Sequence, residues 1–192
     1  MEPMLLPIFV NLHERRVLVV GGGAVAARKV AELLESGARV HVVAPEVVNE
    51  LDESAGRGRL TVAHRTFEAT DVVGAWLVVA ATNKDDVQDA VVAACDAHQT
   101  WCLAVDDVKR TRVFGASVLR RPPFTIAIST DGQAPALARL LREMFDAFLP
   151  ASDWVHLAIS LRERWKRENV PMDERFTALL REFRDRADRE IR

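Results

Sequence analysis

Cysteine is scarce in this 192-residue chain, which has only Cys95 and Cys102. Neither lies in a CxxC pair, so two reduced, buried thiols are expected. The five histidines, His13, His41, His64, His98 and His156, show no metal-ligand spacing, and no resident metal is expected. No apolar run approaches the roughly 18 residues that a membrane span needs. The opening stretch "MEPMLLPIFVNLHERR" lacks the basic leader and long apolar core of a secretory signal, which makes a cytoplasmic protein the expectation. An excess of positive charge is missing too. Lys and Arg number 26 against 28 Asp and Glu, for a formal net charge of -2. Nucleic-acid binders usually carry a strong basic excess, so neither nucleic acid nor membrane is expected as a partner. There is no internal repeat and no low-complexity segment.

What is present is the composition of a soluble domain with a real core, 49% hydrophobic and 28% charged. Short apolar runs alternate with helical patterns up to residue 105. Strands are expected at Arg16–Val20, Val40–Val43, Leu60–His64, Trp76–Ala81 and Trp101–Val105. Helices are expected at Ala24–Ser36, Val47–Ser54 and Asp85–His98. Strands alternating with helices imply an α/β, Rossmann-like doubly wound parallel sheet. Beyond it the pattern changes. Val113–Leu119 and Phe124–Ser129 read as strands with no helix between them, and Pro135–Leu149 as an amphipathic helix with Leu137, Leu140, Leu141, Met144, Phe145 and Phe148 on one stripe. After Pro150 the sequence is helical and charged, split by Pro171, with anchors at Trp154, Leu157, Leu161, Trp165, Phe176, Leu179, Leu180 and Phe183. The expected division is a nucleotide-binding domain over 1–112, a small α+β segment over 113–149 and a helical domain over 150–192.

The stretch "VLVVGGGAVAARKV", residues 17–30, sets three glycines at a strand-to-helix junction. Gly21, Gly23 and Ala26 fit G-x-G-x-x-[GA]. The first glycine permits a tight turn, the second leaves room for a pyrophosphate, and the small third residue lets the helix pack close. A dinucleotide is the favoured ligand; an empty structural turn and another adenine ligand such as S-adenosylmethionine are the alternatives. The acid that usually grips the adenosine ribose belongs at the end of the second strand. Here that end reads "VVAPE", with Glu46 about two residues late and no cation beside it, which favours NAD over NADP.

The segments "LPIFVNL", "VVGGGAVAARK", "WLVVAATNKDDV", "AVDD" and "AISTDGQAPALARLLRE" occur in this order over about three-quarters of the chain. Together they resemble the precorrin-2 dehydrogenase/sirohydrochlorin ferrochelatase family, which includes the N-terminal module of siroheme synthase. The resemblance implies NAD-dependent oxidation of precorrin-2 to sirohydrochlorin, with Fe²⁺ insertion to give sirohaem as a possible second activity. It implies that Asp106 is the catalytic residue. It assigns Gly21, Gly22, Gly23, Ala24 and Val25 to the pyrophosphate turn, Pro45 and Glu46 to the adenosine end, and Thr82 to the cofactor's path. Ser129, Thr130, Gly132 and Arg139 fall in the run that faces the tetrapyrrole. Leu103 departs from the family, which often has Asn three residues before its aspartate.

The residues themselves are consistent with that chemistry. An octacarboxylate needs a basic zone, and Lys109, Arg110, Arg112, Arg120, Arg121, Arg139 and Arg142 follow Asp106 with Asp131 as the intervening acid. Asp106 stands at a strand's carboxyl end, where open α/β sheets bind ligands, and can act on protons. If the chain stays extended there, Asp107 faces the other way. The apolar stripe of Pro135–Leu149 suggests a homodimer. Two other classes remain open at this point: a non-enzymatic NAD-binding regulatory module, and an enzyme that only chelates metal.

Overall fold

A computed structural model describes residues 4–122, 124–148 and 153–190. They form two compact units. The first is built from residues up to Ala116 together with Ser129–Pro135; the second comprises Ser117–Ile128 and the chain from Ala136 onward.

The first unit holds a five-stranded sheet. Its strands are β1 (Arg16–Val20), β2 (Arg39–Val43), β3 (Thr61–Ala63), β4 (Leu77–Ala80) and β5 (Trp101–Ala104). All pair in parallel, in the order β3-β2-β1-β4-β5. The crossovers are helices α1 (Ala24–Glu35), α2 (Asn49–Gly56) and α3 (Asp85–Ala97), with a short 3-10 turn at Ala69–Val72. Side-chain alternation along β1 explains why helices cover both faces. Val17 and Val19 bury into one cluster with Val30 and Leu33 of α1 and Leu51 of α2. Leu18 and Val20 point the other way, into a second cluster with Val72 of the 3-10 turn and Val91 and Cys95 of α3. Cys102 of β5 belongs to that second cluster, and both thiols are free and fully buried. The neighbouring Cys102 sulfur and burial together push the Cys95 thiol well above its ordinary range.

Strand order reverses between β1 and its two neighbours, the arrangement in which a ligand cleft opens at the carboxyl ends. The doubly wound architecture is therefore the expected one. Its boundaries move by a residue or two, and residues 4–12 carry no regular element.

In the second unit β6 (Ser117–Arg121) pairs antiparallel with β7 (Phe124–Ile128). The expected strand at Val113–Leu119 starts late. The Val113 amide donates to the Cys102 carbonyl (3.0 Å) and Thr111 Oγ1 donates to the Val113 carbonyl (2.6 Å). These bonds hold residues 111–113 to β5, so the hairpin begins only at Ser117. Three helices follow: α4 (Pro135–Phe148), α5 (Asp153–Arg167) and α6 (Met172–Glu190). Leu161 and Trp165 anchor α5 as expected, whereas Phe176 (68% exposed) and Leu180 (41%) do not bury. Leu149 and the side chains of Phe148, Trp154 and Phe183 lie outside the described residues. Among the described residues no helix is long and apolar enough to cross a membrane.

Candidate cofactor and active site

The carboxyl ends of β1, β2, β4 and β5 open into one cavity of about 700 Å³. Its floor is the turn between β1 and α1. Gly21 adopts φ +126°, a backbone state closed to most side chains, and a β-carbon there would collide with the Ala81 carbonyl oxygen. Gly22 packs as tightly on the other side: a β-carbon would strike the Glu46 carbonyl oxygen and lie 2.8 Å from the Val47 Cα. The Gly22 carbonyl also accepts the Val48 amide at 2.8 Å, which ties this turn to the loop after β2. Gly23 differs. Its backbone is extended, and a β-carbon would meet nothing within 4 Å. It faces the cavity.

Gly23 is the N-cap of α1 and offers no side-chain cap, so the first N–H groups of the helix are left to a ligand. No acid occupies the first turn of α1 to compete with an anion. Ala24 and Val25 line the cavity above this turn. Pro45 and Glu46 form the wall beyond β2, beside Thr66 and Phe67. Thr82, Asn83 and Lys84 form the wall beyond β4, and Val105 and Asp106 the wall beyond β5. Thr82 Oγ1 accepts the Lys84 amide at 3.2 Å, which shapes the start of α3. A glycine cradle under free helix N–H groups suits a pyrophosphate, and the residues present fit a dinucleotide.

Asp106 does not sit in an extended chain. β5 ends at Ala104, and Asp106 lies in a turn at φ +59°, the left-handed region that Asp tolerates better than most residues. The expected opposition of Asp106 and Asp107 therefore rests on the wrong backbone. Asp107 is the turn's cap: its Oδ1 accepts the amides of Lys109 (3.0 Å) and Arg110 (3.1 Å), and its Oδ2 takes the Arg110 Nη1 at 2.7 Å. The Arg110 guanidinium, with those amides, holds the Asp107 carboxyl below the usual carboxylate range.

Ser129, Thr130 and Gly132 belong to the first unit and shape the approach to α4. Ser129 Oγ accepts the Asp131 amide (3.0 Å), and Thr130 Oγ1 accepts the Ala134 amide (3.0 Å). Gly132 turns at φ +76° close against Val108, whose Cγ2 would be 2.6 Å from a β-carbon. Arg139 is in the second unit, on α4, paired with Glu143 at 3.0 Å.

The basic run after Asp106 is largely neutralised by acids that the linear span does not contain. Arg112 pairs with Asp96 (2.8 Å), Arg121 with Asp146 (2.7 Å), and Arg110 with Asp85, Asp89 and Asp107. Sequence reasoning missed Lys84, the cation among the cavity's lining residues, and the Arg110 cluster. The acid spacing of α3 (Asp85, Asp89) was the available signal. Among the described residues no group of three or more His, Cys, Asp or Glu is placed to hold a metal ion.

The NAD_binding_7 family of NAD(P)-binding domains matches residues 8–116, and the sirohaem biosynthesis protein central family matches 123–147. The chain is 43% identical over 172 residues to siroheme synthase 3 of Aeromonas hydrophila, covering 88% of this chain and 37% of that protein. It is 40% identical over 172 residues to siroheme synthase of Citrobacter koseri, covering 88% of this chain and 38% of that protein. The chain thus spans little more than a third of the length of these relatives. The solved structure of SirC, precorrin-2 dehydrogenase, superposes with a TM-score of 0.74 at 26% identity, covering 92% of this chain and 88% of that one. With its cradle, sheet order and matched span in agreement, the chain belongs to the family of NAD(P)-binding domains.

Proposed function

We propose that this protein oxidises precorrin-2 to sirohydrochlorin with NAD⁺. The observation that carries the reading is that Asp106 and the glycine cradle line one cavity at the carboxyl ends of the strands. The reaction removes a hydride and a proton from the macrocycle, and NAD bound on the cradle supplies the hydride acceptor. Gly21, Gly22, Gly23, Ala24 and Val25 hold the pyrophosphate, Pro45 and Glu46 the adenosine ribose, and Thr82 the far half of the dinucleotide. Asp106, exposed at the cavity's rim, takes the proton and steadies positive charge on the pyrrole nitrogens. Its left-handed turn lifts the carboxylate off the line of β5.

Ser129, Thr130, Gly132 and Arg139 are proposed to bind the tetrapyrrole, with Arg139 exchanging Glu143 for a substrate carboxylate. Sirohydrochlorin loses two pyrrole protons when Fe²⁺ enters as substrate, and Asp106 is the group proposed to accept them one after the other, releasing each to solvent from its exposed position. The functional division is proposed as 1–112 for the dinucleotide, 113–149 for dimerisation and the substrate cleft, and 150–192 as a helical domain. Exposed Leu137, Leu140, Met144 and Phe145 on α4 support a homodimer. Incubation with precorrin-2 and NAD⁺, and then with Fe²⁺, tests the reading through the chromophore spectrum. Absence of NAD⁺-dependent conversion would remove it; light scattering of the wild type and of Leu140→Glu tests the dimer.

A further inference from the structure

We propose that Arg110 is a positioning residue: its guanidinium clamps the cavity wall that carries Asp106 to the wall beyond β4, and so fixes where that carboxylate stands. The proposal rests on reading the cavity as the dinucleotide site. One wall is Thr82–Lys84, which runs directly into α3 at Asp85. The other is Val105–Asp106, which runs directly into Asp107. Arg110 bonds to both. Its Nε donates to Asp89 (2.7 Å) and its Nη1 to Asp85 (3.0 Å), both on α3. The same Nη1 donates to Asp107 Oδ2 at 2.7 Å, while Asp107 Oδ1 caps the turn through the Lys109 and Arg110 amides.

A single pair at this exposure would contribute little. Asp85 is 86% exposed and Asp89 65% exposed. The value of the cluster is geometric, because one rigid, planar fork is shared among three carboxylates on two elements. The ends of the turn are fixed by other bonds, the Val105 amide to the Ala80 carbonyl (2.9 Å) and the Ala104 amide to Thr111 Oγ1 (3.1 Å), but within it the backbone supplies little. The Asp107 amide reaches the Ala104 carbonyl at a long 3.4 Å, and the Thr111 amide reaches the Asp107 carbonyl at 3.1 Å. Asp106 meanwhile holds a left-handed conformation, which persists at a non-glycine residue when the surroundings over-determine it. Arg112 cannot replace the clamp, since it pairs with Asp96 toward the other end of α3.

The test uses the full chain and three variants: Arg110→Ala, Arg110→Lys and the charge-neutral pair Asp107→Asn/Arg110→Gln. The pair keeps the net charge, so a change in overall charge cannot account for its effect. Two measurements are made on each. One is NADH binding, read both as Kd and as the change in nicotinamide emission on binding. The other is kcat and KM for precorrin-2. We expect the pair to bind NADH within about threefold of wild type, because the cradle is untouched. The bound nicotinamide should lose its emission change as the walls separate. With misplacement by about 1 Å, kcat should fall on the order of 10²-fold while KM holds. Arg110→Lys, whose single nitrogen cannot occupy the Nε and Nη1 positions together, should fall between wild type and Arg110→Ala. A purely structural role would lower the unfolding temperature and leave the folded enzyme's kcat and nicotinamide emission intact; that result overturns the clamp. If the pair does not fold, Arg110→Lys decides, and wild-type behaviour in it is equally fatal. A wild type that binds no NADH overturns the dinucleotide reading and the clamp together. One that binds NADH but leaves precorrin-2 unchanged removes the substrate reading alone, and the emission change then decides the clamp.

Discussion

The three consecutive glycines should respond to substitution in three different ways. At Gly23 a β-carbon meets nothing within 4 Å and the backbone is extended, so Gly23→Val is sterically free in the folded protein. Valine is a poorer N-cap than glycine, at a cost of about 0.5–1 kcal/mol. For a chain of this size that lowers Tm by roughly 1–4 °C. The added branch does, however, occupy the path of the pyrophosphate to the first N–H groups of α1. Losing one or two charge-assisted hydrogen bonds, each about 1.5–3 kcal/mol, weakens NAD binding by about 10–10⁴-fold. Gly22→Ala is the converse. Its β-carbon is driven into the Glu46 carbonyl and the Val47 Cα, backbone atoms that cannot swing aside. Overpacking of that kind costs about 1–3 kcal/mol, so Tm falls by roughly 2–12 °C and the loop after β2 shifts. Gly21→Ala combines a collision at Ala81 with the strain of φ +126°, and should be the least stable of the three. Calorimetric NAD⁺ titration and thermal unfolding of the three variants separate the cases. A folded Gly23→Val with wild-type NAD affinity would refute the cradle. A Gly22→Ala with wild-type Tm would refute the packing.

Asp106→Asn retains the left-handed turn and should lower kcat by about 10²–10⁴-fold with NAD affinity nearly constant; full turnover would move the proton acceptor elsewhere. Asp107→Asn is no silent control, because it keeps a capping oxygen but removes the charge that pairs with Arg110. Its carboxyl is held low by Arg110, so its stabilisation is present above the unfolded value of about 3.9 and is lost as pH falls below it. Denaturation of wild type and variant should therefore differ at pH 7 and converge in strong acid; a gap that widens on acidification contradicts this. NAD⁺ should be strongly preferred over NADP⁺, since Glu46 is the charged group on the wall beyond β2, and equal kcat/KM values would defeat that assignment. Asp71, buried and bonded to both Arg65 nitrogens (2.6 and 2.8 Å) and the Glu68 amide (2.9 Å), should cost about 1–3 kcal/mol on change to Asn, with NAD affinity unaffected. A Tm equal to wild type would show that this network carries no stability.

The parallel sheet is legible in the sequence because each buried strand is a short, β-branched-rich run and each crossover carries a helical stripe. Val17–Val20 and Leu77–Ala80, buried throughout, could hardly be anything else. The glycine turn is legible for the same reason: its three roles depend on local backbone geometry. What escapes depends on pairings between distant segments. Nothing near Arg110 in the chain indicates that its partners are 21 and 25 residues earlier on α3, so a basic run that reads as an open patch is in fact largely paired. The strand end at Asp106 escapes because a polar side chain, Asp107, offers the backbone a turn in place of continued extension. The hairpin start escapes because the Thr111 hydroxyl competes for Val113.

The two cysteines make the first unit its own clock. Cys95 on α3 and Cys102 on β5 share one core cluster, are both fully buried, and span the helix and strand on which the cavity walls are mounted. A thiol reagent added to the folded protein can react only when α3 leaves the sheet. The labelling rate thus reads the opening free energy of the cofactor unit directly, at equilibrium and without denaturant. The second unit's described residues contain no cysteine to add background. A ligand gripped by the cradle should slow that reaction in proportion to its occupancy, which turns a pair of inert core residues into a binding assay.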